Sequence, residues 1–162
     1  MAITSAICNS FKQEILEAEH NFTASTGNTF NLALYDSDAT LNKSTTAYTT
    51  SEELATTGGY TAKGNALTSV TPTLDSDTAV CDFSNTSWTS ASFTARGCLI
   101  FNDSHSSDAA VCAIDFGGDK TVTSGTFTVE FPAAAASTAI IQIAYGGIPY
   151  GYRRGKINLG SI

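Results

Sequence analysis

The stretch that decides the fold is "GTFTVEFP", residues 125–132. Polar and apolar residues alternate along it, in the order Thr126, Phe127, Thr128, Val129, Glu130 and Phe131. Alternation with a period of two places all the apolar side chains on one face of an extended chain. The stretch therefore predicts an antiparallel strand with one buried face and one face turned to solvent or to a partner.

Similar strand patterns lie on both sides of this stretch. They are "FNLALYD" (30–36), "TAVCDFS" (78–84), "SFTARGCLIFND" (92–103), "AAVCAIDFGGD" (109–119) and "TAIIQIAY" (138–145). Turn residues separate them, as in "NDSHSSD", "GGDK" and "TSG". This spacing predicts a mainly β fold, an antiparallel β-sandwich or a jelly-roll-like barrel. The polar region 36–65 predicts a long loop or a pair of short edge strands.

One helix is predicted, at the N-terminus. In "TSAICNSFKQEILEAEHNF" (4–22), apolar residues recur at spacings of three and four: Ile7, Phe11, Ile15, Ala18 and Phe22. The pattern predicts an amphipathic helix over 4–21, capped by Thr4 or Ser5. We expect its apolar face to pack on its own domain; the alternative is a partner subunit. Residues 1–145 then form a single β-sandwich domain that includes this helix.

Composition narrows the class of partner. The chain has 162 residues, 42% hydrophobic and only 14% charged, with a net charge of −7, whereas soluble domains average about 25% charged residues. Depletion of charge is typical of the cores of protein interfaces. The acidic balance argues against a nucleic-acid partner. No apolar run approaches the ~20 residues of a membrane span, so we expect no membrane partner either.

Residues 146–162, "GGIPYGYRRGKINLGSI", form a glycine-rich basic arm in the prediction. The arm holds three basic and no acidic residues, so the net charge of 1–145 is −7 − 3 = −10. This asymmetry favours an arm that contacts another subunit. The alternatives are an arm folded onto its own acidic domain and a flexible end. The predicted interface residues are Tyr150, Tyr152, Arg153, Arg154, Lys156, Ile157 and Leu159. "INLGSI" is suited to adding a strand to a neighbour's sheet edge.

The sequence contains no recognisable catalytic motif, so we expect no enzyme activity and no cofactor. The pairs Asp36–Asp38 and Asp75–Asp77 have the spacing of calcium-loop ligands, but they lack the glycine and distal glutamate of an EF-hand. Acidic residues in turns are the preferred interpretation, and no metal is expected. Asp115, between apolar neighbours, is predicted to pair with Arg96 on the adjacent strand.

Two further residue sets have alternative interpretations. Four aromatic residues could form a sugar-binding platform, but core packing is the preferred interpretation: Tyr48, Tyr60, Trp88 and Phe93. The four cysteines do not have the spacing of metal ligands. We interpret them as small hydrophobic residues rather than as a disulfide framework: Cys8, Cys81, Cys98 and Cys112.

Several of these stretches together resemble a known family. They are "AICNSFKQEILEAEHNF", "FNLALYDSDATL", "SFTARGCLIFND", "AVCAIDFGGDKTVTSGTFTVEFPAA" and "TAIIQIA". In this order they are similar to small structural proteins of tailed bacteriophages, over about residues 3–144. The family carries no catalytic motif. Its members end near "IIRIA", whereas this chain has "IIQIA" and continues, so the role of the arm is not inherited.

The resemblance implies a place in the virion. We expect a capsid decoration or cement protein on the outer capsid surface, made in the host cytoplasm and bound to the major capsid protein or another virion protein. Such proteins are often homotrimers. The alternative is a tail or fibre component that binds a receptor or a glycan.

Overall fold

The computed structural model describes residues 2–144. Within them it has one short helix and eight strands: β1 (Ala6–Ile7), α1 (Asn9–Glu14), β2 (Phe30–Tyr35), β3 (Asn65–Ala66), β4 (Ser69–Asp75), β5 (Thr78–Phe83), β6 (Thr86–Asn102), β7 (Ala109–Val129) and β8 (Ile141–Ile143). The predicted mainly β fold with an N-terminal helix is confirmed. The predicted arm, 146–162, lies outside the described residues.

The strands form two antiparallel sheets in a sandwich-like arrangement. One has the order β1-β7-β6-β2-β3 and the other the order β4-β5-β8. A single hydrophobic core joins them, because buried residues of both sheets belong to one cluster. Phe30 of β2 and Phe83 of β5, for example, have ring centroids 5.7 Å apart. Contact between the inner faces of two sheets is what defines a sandwich core.

The long hairpin of β6 and β7 dominates the larger sheet. The turns predicted at "GGDK" and "TSG" are wrong, because β7 runs through both as one strand of 21 residues. The extra residues form bulges: the step from Ala95 to Gly97 on β6 matches the longer step from Lys120 to Asp115 on β7. Bulges bend a strand without ending it. A positive φ of 73° at Gly117 accommodates this bend.

The predicted helix 4–21 is too long at both ends. Ala6 and Ile7 pair with Ala113 and Cys112 of β7, so the chain is extended there. The helix begins only after Cys8, and the predicted caps Thr4 and Ser5 are wrong. Pairing with β7, a strand distant in the sequence, thus outweighs the helical spacing of the apolar residues in this segment.

The apolar face of α1 packs on its own domain, as expected. Phe11 is its buried residue, and its ring centroid lies 6.0 Å from that of Phe22. Three of the residues predicted for the apolar stripe lie beyond the helix end: Ile15 is half-buried, Ala18 is exposed and Phe22 is buried.

The polar region after β2 forms a long loop, as the first of the two sequence interpretations proposed. Isolated bridges attach it to the sheet, Tyr35 to Glu53 and Ala47 to Ala109. No helix between residues 2 and 144 combines the length and hydrophobicity that crossing a bilayer requires.

Candidate functional site

The predicted interface residues of the arm all lie beyond residue 144, outside the described part of the chain: Tyr150, Tyr152, Arg153, Arg154, Lys156, Ile157 and Leu159. The candidate surfaces described below therefore belong to the domain itself.

One candidate surface is an apolar patch on the smaller sheet, made of Leu74 and Ile143. Leu74 pairs with Ala79, which also pairs with Ile143, so these side chains share one face of β4, β5 and β8. Leu74 is 76% exposed and Ile143 60% exposed. A cavity of about 440 Å³ next to them is lined by Ile143, Ala79 and other mostly apolar residues. Leu16, 87% exposed, follows Ile15 in the chain, and Ile15 lines the same cavity.

The apolar patch was not predicted, because its strand β4 was not recognised. "SVTPTLD" (69–75) alternates Val70, Pro72 and Leu74 with polar residues, which is a strand signal. Proline lowers the expectation for a central strand but suits an edge strand, where an N–H donor is not needed. β4 is indeed the edge of its sheet.

A second candidate surface is a groove along the bent strand β7, here called the β7 groove. It holds about 440 Å³, and its apolar lining residues are Ile114, Phe116, Phe127, Val129, Phe131 and Ile140. The bend brings Phe116 to within 6.1 Å of Phe127, measured between ring centroids. Lys120 and Glu130 also line the groove. Beyond Ile114 and Ile140 a smaller space of about 280 Å³ continues to Ile7.

A polar cluster fixes the long loop against the larger sheet. The carboxylate of Glu53 accepts hydrogen bonds from the hydroxyls of Tyr48 and Tyr60 and from the backbone N–H of Lys63. The Tyr60 hydroxyl in turn accepts the backbone N–H of Leu34, at 3.0 Å. The Lys63 ammonium lies 2.8 Å from Asp103 and 2.9 Å from Asp108. These contacts join the loop to itself, to β2 and to the connection between β6 and β7, which indicates a structural role.

The tyrosines in and beside this cluster are held in their neutral form. Burial, and secondarily hydrogen bonding and charge repulsion from Glu53, raises the pKa of Tyr48 and Tyr60 far above the ordinary value. Burial and the charge of Glu53 likewise raise the pKa of Tyr35, whose hydroxyl donates to the carbonyl of Thr49. These phenols are therefore hydrogen-bond donors at neutral pH.

The side chain of His20 is buried where α1 meets the end of β6. Its Nδ1 lies 3.1 Å from the amide nitrogen of Asn102, and its Nε2 lies 2.9 Å from a carboxylate oxygen of Glu14. Because an amide nitrogen only donates, the network assigns Nδ1 as acceptor and places the proton on Nε2. The described hydrogen-bond partners of His20 include no hydroxyl or thiol nucleophile, so its geometry is that of a tether.

The predicted acidic pairs remain at the surface. Asp36 and Asp38 come close to Glu52, with one carboxylate oxygen of each within 4.8 Å of the others. The Asp36 carboxylate accepts the backbone N–H of Asp38 at 2.9 Å, as in an ordinary turn. Asp75 likewise accepts the backbone N–H of Ala136. The turn interpretation accounts for the Asp36 contact, whereas the Asp75 contact joins the end of β4 to a residue 61 positions later in the chain.

The predicted ion pair between Arg96 and Asp115 is confirmed, with Nε 3.0 Å from the carboxylate oxygen. Hydrogen bonding to Arg96 holds the pKa of Asp115 below its usual value. The core interpretation of the aromatic residues is also confirmed: Trp88 and Tyr60 are only 4% and 2% exposed. A sugar ring therefore has no access to their faces.

All four cysteines are buried and free, with none paired in a disulfide. Burial raises the pKa of Cys8 to about 11 and that of Cys81 to about 12. Burial also raises the pKa of Cys98 and Cys112 well above the ordinary thiol value. Thiols in this state are weak nucleophiles and poor metal ligands, because both roles need the thiolate.

The chemistry of the described residues is thus that of a domain whose polar groups serve mainly its own structure, with two apolar surfaces left uncovered. Comparison of the chain with protein-family models, curated proteins and solved structures gave no match.

Proposed function

We propose that the protein is a non-enzymatic structural protein of a bacteriophage virion, a decoration or cement protein on the outer surface of the capsid. In this role it bridges adjacent major capsid subunits. The observation that supports the proposal is the apolar patch of Leu74 and Ile143 on the smaller sheet. Large apolar side chains grouped on one surface mark a site of protein contact.

The position of the patch along the chain adds to this support. Ile143 is followed within three residues by Gly146, where the basic arm begins. Ile143 and the start of the arm are therefore adjacent along the chain, and in the proposed role both contact neighbouring subunits. A homotrimer would present three such patches, and binding through several linked sites increases the overall affinity without any new contact.

The glycan-binding alternative receives no support from the aromatic residues that suggested it. Tyr60 and Trp88 pack against each other in the core, with ring centroids 6.1 Å apart. Phe93 packs edge-on against Tyr60. A sugar platform instead needs an exposed aromatic face on which the apolar face of a sugar ring stacks.

Cosedimentation with expanded empty heads that lack this protein tests the proposal. We expect Leu74→Ser and Ile143→Ser each to weaken binding by about tenfold, because each removes an apolar contact at the patch. Val70→Ser is the matched control. Val70 is 38% exposed on β4 but pairs with Asp82, whose side chain points to the opposite face from Ala79.

Equal binding by all three variants would contradict the role of the patch, and no binding by the unaltered protein would contradict a capsid location. Deletion of 147–162 tests the arm in the same assay, and we expect it to weaken binding. Copy number separates head from tail: on the order of hundreds of copies per particle indicates the capsid, and about six or twelve indicates the tail.

A further inference from the structure

The outer side of β7 has almost no strand beside it. β1 covers only Cys112 and Ala113. From Ile114 to Val129, no strand among residues 2–144 pairs with β7 on that side, although the Asp115 N–H donates to the Ser5 hydroxyl. An edge of this length presents a row of backbone N–H and C=O groups to which another chain can add a strand.

The same edge carries incompletely buried apolar side chains. Ile114, Phe116, Phe127 and Val129 line the β7 groove and are all half-buried. A bare edge that is also apolar is a liability for a soluble protein unless something covers it. The β7 groove thus combines backbone pairing groups with a place for side chains, which are the two requirements for adding an extended segment.

We infer that the β7 groove receives the arm, residues 146–162, of a neighbouring copy of this chain as an added extended strand. The inference rests on the proposed function in treating the arm as an inter-subunit contact. It goes further by naming the acceptor surface and by making the neighbour a second copy.

The sequence of the arm matches the groove. Ile148, Tyr150 and Tyr152 alternate with proline and glycine. In an extended chain they therefore lie on one face, and the other face carries no bulky side chain. The three basic residues of the arm complement a domain whose net charge is −10. The groove itself holds one charge of each sign, Glu130 and Lys120, so the complementarity is with the domain as a whole.

The direction of β8 favours a neighbour as the donor. Ile140 lines the β7 groove, and its backbone N–H lies 3.2 Å from the carboxylate of Asp82, near the end of β5. Ile143 instead pairs with Ala79, near the start of β5. The chain therefore leaves β8 heading away from its own groove. The 18 residues after Ala144 reach about 60 Å when extended, enough to contact an adjacent copy.

Donation from each copy to the next is a head-to-tail contact. Such a contact produces a closed ring if the rotation between copies closes, and a trimer is one such ring. The apolar patch on the smaller sheet is a separate surface, and it stays free to bind the capsid.

A cross-linking experiment on the full-length protein, without capsids, tests the inference. One variant carries Glu130→Cys at the groove and a second carries Tyr152→Cys in the arm. The native thiols do not interfere, because all four cysteines are buried. After mixing and treatment with a bismaleimide, we expect a covalent dimer that contains one chain of each variant. Ser37→Cys, exposed in the loop after β2 and outside the groove lining, replaces Glu130→Cys in the control.

Two results would overturn the inference. One is a yield of mixed dimer no higher than in the Ser37→Cys control. The other is a chain carrying both new cysteines that cross-links only within itself, which would show that the arm returns to its own groove. As a further check, Phe116→Ser added to the Glu130→Cys variant should lower the yield about tenfold, at a temperature where a melting curve shows that the variant is still folded. Because capsids are absent, failure here is distinct from failure to bind heads.

Discussion

Removing one hydroxyl at Tyr60 should destabilise the whole domain. Tyr60→Phe deletes an oxygen that donates to Glu53 at 2.7 Å and accepts the backbone N–H of Leu34 at 3.0 Å. Leu34 is fully buried, so its N–H is left without an acceptor and without access to water. The ring of Tyr60 stays in the core, because phenylalanine keeps the same shape.

The magnitude follows from these two bonds. An unsatisfied buried N–H costs about 1–3 kcal/mol, and a lost hydrogen bond to a charged group about 1.5–3 kcal/mol. Glu53 keeps two other donors, so the second term lies at its lower end, and we expect a total of about 3 kcal/mol. Tyr48→Phe is the matched control. It removes a hydrogen bond to the same carboxylate but exposes no buried N–H, and should cost about 1.5 kcal/mol.

Urea unfolding followed by tyrosine and tryptophan fluorescence measures both variants. The comparison uses the free energy of unfolding, and it requires that both variants have the same m-value, the slope of that free energy against urea concentration. A different m-value would instead report a change in the unfolded state. If Tyr60→Phe proves no more destabilising than Tyr48→Phe, the Leu34 N–H has another way to be satisfied, and the reasoning is wrong.

Three further predictions concern pH, glycine and the thiols. The pKa values of Tyr48 and Tyr60 are raised in the folded protein, so the folded state keeps protons that the unfolded chain loses near pH 10. Stability should therefore be intact below pH 10 and fall as the pH rises above it. Urea midpoints at pH 8 and pH 11 check this, and equal midpoints would contradict it. Gly64→Ala should lower the free energy of unfolding by about 1–3 kcal/mol more than Gly117→Ala does. Both glycines have a positive φ, but only at Gly64 would the new Cβ overlap a backbone carbonyl, that of Leu32. Thermal unfolding of the two variants gives the difference, and similar melting temperatures would refute it. The four native thiols should react with a disulfide reagent only after unfolding, since all are buried; a fast-reacting thiol in the folded protein would contradict this.

The strands predicted correctly are those whose own residue pattern agrees with their pairing in the folded sheet. "FNLALYD" and "SFTARGCLIFND" were identified correctly, and the two segments pair with each other through the register Leu34 to Cys98. The Arg96–Asp115 pair was predicted because both residues lie on strands adjacent in sequence. Such strands usually pair, and here they do.

The wrong predictions have a common cause. The local sequence allows two structures, and contacts with residues distant in the sequence decide between them. Glycines at 117 and 118 permit a reversal or a bulge equally well, and only the opposing residues on β6 decide between them. Ile7 suits a helical stripe or an edge strand, and Cys112 decides that choice. The apolar patch and the β7 groove depend on which side chains remain uncovered after packing, a property that no local pattern contains.

The pairing of β1 with β7 also determines when the larger sheet can be completed during synthesis. Ala6 is made more than a hundred residues before its partner Ala113. β2 likewise waits for β6. β1 and β2 therefore stay unpaired with β7 and β6 until those strands have been made, and exposed apolar strands of this kind are prone to aggregation. The short β6–β7 connection, residues 103–108, then lets the central hairpin form locally. Synthesis of that hairpin is the step that ends this exposure.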